Sequence, residues 1–135
     1  MKLPASIFFF AVCLLHYHAL AADPLQPGAV GTGTFAQPDM APYPMILTVT
    51  ARRGNVVYGT LRWPTLRNSR SRFQGVIHQA ARFTFVEYEV IQGTVGVPTV
   101  YQATIIGDHI AGTGQYANIT GTFQLHFPAR GEPTR

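Results

Sequence analysis

The chain has 135 residues and a formal charge of +4, with one cysteine, Cys13, and one lysine, Lys2. That length supports one hydrophobic core and is too short for two ordinary domains. A lone cysteine excludes a disulfide framework, and the near-absence of lysine excludes Schiff-base chemistry and a phosphate-loop lysine.

In chain order, the first element reads as a secretory signal. Met1-Lys2 supplies a short positive start, Ile7 to Leu15 (IFFFAVCLL) an unbroken apolar run, and Ala19-Leu20-Ala21-Ala22 the small residues of a cleavage site. The apolar run falls short of the about 20 residues that span a bilayer. Residues 1–21 are therefore expected to be removed, with cleavage after Ala21 or Ala22, leaving no transmembrane segment. The expected location is periplasmic or extracellular. No small residue stands just before Cys13, which argues against a lipoprotein anchor. Cys13 and Lys2 leave with the signal, so the mature chain must hold together by burial alone.

Residues 22–29 begin ADPLQPG and read as a flexible lead-in. Beyond them helical periodicity is absent. Short runs rich in Val, Ile, Thr, Tyr and Phe recur, separated by Gly, Pro and Asn. The runs are Val30–Phe35, Met45–Ala51, Val56–Trp63, Arg72–Gln79, Phe83–Gln92, Thr99–Ile106, His109–Gly114 and Ile119–Phe127. In ITGTFQLHF, Ile119, Phe123, Leu125 and Phe127 share one face, while Thr120, Thr122, Gln124 and His126 share the other. Gly54-Asn55 and Gly107-Asp108 fit tight hairpin turns, and AQPDMAPYP (36–44) is a proline-punctuated loop. Glycines within the runs, at 59, 75, 112 and 121, favour a curved or closed sheet. GTGTF (31–35) and ITGTF (119–123) are alike enough to lie side by side as first and last strands. The expectation is an all-β domain over 30–127, an eight-stranded antiparallel up-and-down barrel, with a β-sandwich as the alternative. A polar tail, 128–135, follows Pro128.

The stretch PMILTVTARRGNVVYGTLRWPTL (44–66), with FQG (73–75) and FVE (85–87), resembles a small secreted calycin-like β-domain. That domain occurs alone or appended to bacterial extracellular proteins, receptor-type kinases among them. The resemblance implies a calycin-like barrel and no known enzymatic activity. Such domains often carry cysteines that this chain lacks, so no disulfide role transfers.

Charge is unevenly placed. No acid occurs from Met40 to Val86, whereas seven arginines fall there. LRWPTLRNSRSRF (61–73) holds four of them and the chain's only tryptophan. Pro64 stops one strand and Asn68-Ser69 favour a turn, so Arg67 and Arg70 belong to a strand connection flanked by Arg62 and Arg72. Guanidinium groups grip carboxylate, sulfate or phosphate, and an indole can stack on a ring. Arg62, Trp63, Arg67, Arg70 and Arg72 are therefore the candidate contacts for an anionic ligand, an acidic glycan or a protein partner. The plain alternative is a solvated turn with Trp63 in the core. Nucleic acid is a poor partner for an exported chain.

Glu87 and Glu89 stand two apart in FTFVEYEVI, on one side of an ideal strand and about 7 Å apart. Two acids on a single strand do not flank a glycosidic bond, so catalysis is not expected from them. If Phe83, Phe85 and Ile91 face inward, the glutamates do too, and Glu87 becomes a buried charge with Arg62, Arg72 or Arg82 as partner. If Thr84, Val86, Tyr88 and Val90 face inward, both are solvated. The serines of the mature chain, Ser69 and Ser71, sit in no G-x-S-x-G context. His78, His109 and His126 with Asp108 show no metal-ligand spacing, so neither metal nor cofactor is expected. Asn118-Ile119-Thr120 is an N-glycosylation sequon, usable only in a eukaryotic secretory pathway.

The expected function is a secreted, non-catalytic binding barrel working through the Arg/Trp loop. The alternatives are an inhibitor of a secreted or host enzyme and a structural or adhesive accessory domain. An eight-stranded barrel is either just filled by side chains or just able to hold one small ligand, and the sequence leaves that choice open.

Overall fold

The computed structural model describes residues 23–129. The expected signal, 1–21, and positions 130–135 of the tail lie outside the described residues. Eight strands follow one another: β1 (Val30–Ala36), β2 (Tyr43–Arg53), β3 (Val56–Trp63), β4 (Ser69–His78), β5 (Arg82–Gln92), β6 (Thr99–Ile106), β7 (His109–Tyr116) and β8 (Ile119–His126). Each pairs antiparallel with the next, and β8 returns to β1 to close an up-and-down barrel. The closure sets Phe35 opposite Phe123, so β1 and β8 lie side by side as first and last strands, with the two similar pentapeptides meeting at that one pair. The sandwich alternative is not formed. Among the described residues no helix is long and apolar enough to cross a membrane.

Alternation along the strands builds the core. In β6, Thr99, Tyr101, Ala103 and Ile105 are buried, while Val100, Gln102, Thr104 and Ile106 are exposed. Aromatic rings fill the interior: Phe85 stacks on Tyr101 at 4.4 Å between centroids and on Phe83 at 4.9 Å. The interior glycines supply the room. A Cβ on Gly75 would sit 2.5 Å from the Phe83 ring, and one on Gly121 would sit 2.4 Å from the Phe35 ring.

The two ends differ. At one lie the connections 54–55, 79–81 and 107–108, together with the incoming chain. The lead-in, 22–29, packs against the barrel over 23–29. Leu25 is fully buried in the core cluster, and the Gly28 amide donates to the Val49 carbonyl at 2.8 Å. Arg52 Nη1 pairs with Asp23 at 2.6 Å and also donates to the Leu25 carbonyl at 3.1 Å. An apolar side chain and a half-buried ion pair thus fix a segment whose composition alone looks loose. The other end carries the connections 37–42, 64–68, 93–98 and 117–118. It is open.

A bulge in β5 decides which way its acids point. Phe73 pairs with Glu87 and Arg72 with Glu89, so Tyr88 is the extra residue and the alternation changes phase there. Glu87 consequently faces inward with Phe83 and Phe85, whereas Glu89 faces outward. The expectation that the two glutamates share a side is corrected: it holds for an ideal strand and fails across a bulge.

Candidate functional site

The open end leads into a cavity of about 280 Å³. Its strand residues arrive there through alternation. Phe35 and Tyr43 flank the first connection, Trp63 is the last residue of β3 before the Pro64 turn, and Tyr101 comes from β6. Leu66, Val95 and Gly96 contribute from the loops. The rings meet largely edge to face, Phe35 on Trp63 at 5.9 Å and Tyr43 on Trp63 at 5.8 Å. At the rim, the Gln37 side-chain amide donates to the Tyr43 hydroxyl at 2.9 Å. Met40, Tyr116 and Ile119 add apolar surface at the rim, each exposed.

One charged group lines this cavity. Glu87 is 1% exposed and accepts three hydrogen bonds. Trp63 Nε1 donates to Oε2 at 2.9 Å, the Tyr101 hydroxyl donates to Oε1 at 2.9 Å, and the Ser71 hydroxyl donates to Oε2. Burial pushes the Glu87 carboxyl above the usual carboxylate range, and the bonds from Ser71, Trp63 and Tyr101 pull it back in part. The Tyr101 hydroxyl is pushed far up by its own burial and then by the charge of Glu87. Tyr43 is also raised, mainly by burial, with the bond from Gln37 opposing and the Glu87 charge adding. Both tyrosines therefore stay neutral at any physiological pH. No buried side-chain nitrogen or oxygen is left without a partner among the described residues.

The structure parts the residues that the sequence groups together. Trp63 is 3% exposed and points inward with Leu61, whereas Arg62 between them points outward. Arg70 and Arg72 are likewise outward on β4, alternating with the buried Ser69, Ser71 and Phe73. Arg62 and Arg70 are direct cross-strand neighbours on the outer face. Arg62 Nε donates to Asn68 Oδ1 at 3.0 Å, and Arg72 meets Glu89 at 3.3 Å, both in exposed positions. Arg67 occupies the tight turn after Leu66 with φ 55°, followed by Asn68 at 51°, an uncommon conformation for a side-chain-bearing residue. Glu87, expected to take an arginine partner if it faced inward, takes Trp63, Ser71 and Tyr101 instead. The outward direction of the arginines is the reason. Asn118 is exposed in the β7–β8 turn, so the sequon is accessible.

Ser71 and Tyr101 are the site residues that sequence reading missed. Their inward direction is written in the alternation of RSRFQG and TVYQATII, but their convergence on Glu87 needs the β3–β4–β5–β6 register. Of the groups weighed for a metal, Asp108, His109 and His126 converge at the β6–β7 turn, with donor atoms all within 4.8 Å of one another and all exposed. His126 Nε2 lies 3.0 Å from Asp108 Oδ2, and the two imidazoles stack at 4.6 Å. The contact with His126 first, and that with His109, hold the Asp108 carboxyl below its usual range. His78, at the end of β4, is not in this group.

Comparisons with protein-family models, with curated proteins and with solved structures find no match to this chain.

Proposed function

We propose that this protein is an exported, non-catalytic barrel that holds one small molecule in the cavity at its open end. The observation that carries this is an aromatic cavity of about 280 Å³ with a single buried carboxylate at its wall. Ligand sites are typically concave and mostly apolar, with a few placed polar groups, and run from about 300 Å³ upward. This one lies at the small end, about twice the roughly 150 Å³ that takes one benzene ring. Its occupant is therefore compact: an apolar body and one polar end directed at Glu87.

The test is native mass spectrometry of the secreted protein. An added mass that disappears on denaturation supports the reading, and Trp63, the only tryptophan, reports refilling through its fluorescence. A bare chain mass, together with a Trp63 signal that no compact apolar probe alters, removes it.

A second reading concerns the outer face. Arg62 and Arg70 are opposed across β3 and β4, where like charges repel, and among the described residues neither Arg67 nor Arg70 is paired with an acid. A sulfated or carboxylated glycan, or an acidic protein surface, relieves that repulsion. Retention on a sulfated-glycan column should fall in an Arg62→Ala, Arg70→Ala double variant; unchanged retention removes this reading and leaves the pocket untouched.

A further inference from the structure

We infer that the molecule held in the pocket is a compact amine, whose protonated nitrogen meets the Glu87 carboxylate while its body lies against the surrounding rings. The inference rests on the pocket reading above and adds the chemical class of the ligand.

Four observations converge on it. First, the chain supplies no cation to Glu87. The ion pairs of the described residues are Asp23–Arg52, Arg72–Glu89 and the two between Asp108 and its histidines, and all lie elsewhere. A buried carboxylate without a counter-charge is costly, and neutral donors offset that cost only in part. Second, a carboxylate offers about four acceptor sites, and Trp63, Ser71 and Tyr101 occupy three. A ligand N–H has a place to bind without displacing any of them. The tryptophan can only donate, which suits an ionised acceptor.

Third, the rest of the lining favours a cation and disfavours an anion. No arginine, lysine or histidine lines the cavity, so an acidic ligand meets Glu87 with nothing to hold it. Phe35, Tyr43, Trp63, Tyr101 and Tyr116 are all present in the wall, and aromatic faces attract ammonium groups, most strongly where water is excluded. Fourth, the cavity is small. It suits one ring or a short branched chain carrying the nitrogen, and a peptide or a long acyl chain exceeds it.

The experiment uses the whole secreted protein and probes matched in skeleton. Benzylamine, 2-phenylethylamine and cyclohexylamine are each titrated against the alcohol and the carboxylic acid of the same skeleton, by calorimetry and by Trp63 fluorescence. At neutral pH at least one amine should bind tenfold or more tighter than its alcohol, and its acid should not bind detectably. In Glu87→Gln that amine-over-alcohol preference should shrink at least tenfold. An alcohol that binds as tightly as its amine overturns the amine inference and leaves the pocket reading standing; so does an acid that binds best. If none of the probes binds, the amine inference falls, and the co-purified mass alone decides whether the pocket reading survives. The comparison within the parent protein does not depend on the variant folding.

Discussion

Replacing Glu87 with leucine keeps most of the side-chain volume and removes the acceptor shared by Trp63, Ser71 and Tyr101. Ser71 can turn its hydroxyl elsewhere, but Trp63 Nε1 and the Tyr101 hydroxyl have fixed directions in a packed wall. An unsatisfied buried donor costs about 1–3 kcal/mol, so two of them cost about 2–6 kcal/mol. Two effects act against this. Removing the acid also removes its own burial cost, which shows as a carboxyl pushed upward. Water entering the cavity can take up one of the donors. The expected net loss is about 2–4 kcal/mol for Glu87→Leu. Glu87→Gln is the control. Its amide oxygen can accept from Trp63 and Ser71 and its NH₂ can donate to the Tyr101 oxygen, so that only the Tyr101 O–H loses its acceptor and the cost should be about 1–2 kcal/mol, below that of leucine. Urea unfolding at neutral pH, followed by Trp63 fluorescence and far-ultraviolet circular dichroism, measures both. If the leucine variant is as stable as the glutamine variant, the three hydrogen bonds do not hold the barrel wall together. The account of Glu87 as a structural hub then fails.

Because burial raises the folded-state value of Glu87 above 4.5, the native state holds its proton more tightly than the unfolded chain does. Its contribution is therefore most favourable below pH 4.5 and is lost as pH rises through the folded value; urea midpoints should show this decline in the parent and not in Glu87→Gln. Tyr43 and Tyr101, the other titratable groups at the site, are raised and remain neutral across that window. At the closed end, Leu25→Ala should cost about 2–5 kcal/mol in the same unfolding assay, while ligand affinity at the far end of the barrel stays unchanged. Gly121→Ala places a methyl 2.4 Å from the Phe35 ring and 2.7 Å from the Ala36 carbonyl. It should cost about 1–3 kcal/mol and, because Phe35 lines the cavity, weaken binding of any pocket ligand; unchanged affinity means that Phe35 does not shape the site.

Much of the barrel is legible in the sequence because strand alternation is local. β3 and β6 fall where the sequence places them, and the likeness of 31–35 to 119–123 anticipates the closing pair. The site is less legible, for three separate reasons. The bulge at Tyr88 leaves no mark in FTFVEYEVI, yet it decides that Glu87 faces in and Glu89 out. The donors to Glu87 come from three other strands, so their meeting depends on register across the sheet. Leu25 docks beside an ion pair between residues twenty-nine positions apart, Asp23 and Arg52, a contact that local pattern does not reveal. By contrast, the inward direction of Trp63 was available from period-two counting alone. The conspicuous charge lies on its outward neighbours, Arg62 and Arg70.

That last point separates two functions on one pair of strands. Along β3 and β4 every second residue belongs to the interior and every other to the outer face, so Leu61, Trp63, Ser69 and Ser71 are buried while Arg62, Arg70 and Arg72 are exposed. The pocket and the arginine face thus share a backbone but no side chain. Substitutions on one face leave the other chemically intact, as long as the cross-strand register holds. A barrel built this way can present a charged outer wall to a large anionic partner while its open end holds a small cation. Binding on the two faces should therefore be independent, each measured in the presence of the other without change in affinity. Coupling between them requires a shift in the β3–β4 register or in the Leu66–Ser69 turn, where Arg67 and Asn68 already hold positive φ. That turn carries Leu66 on the pocket wall and Arg67 on the exposed surface, so a partner bound outside at Arg67 can be felt inside at Leu66.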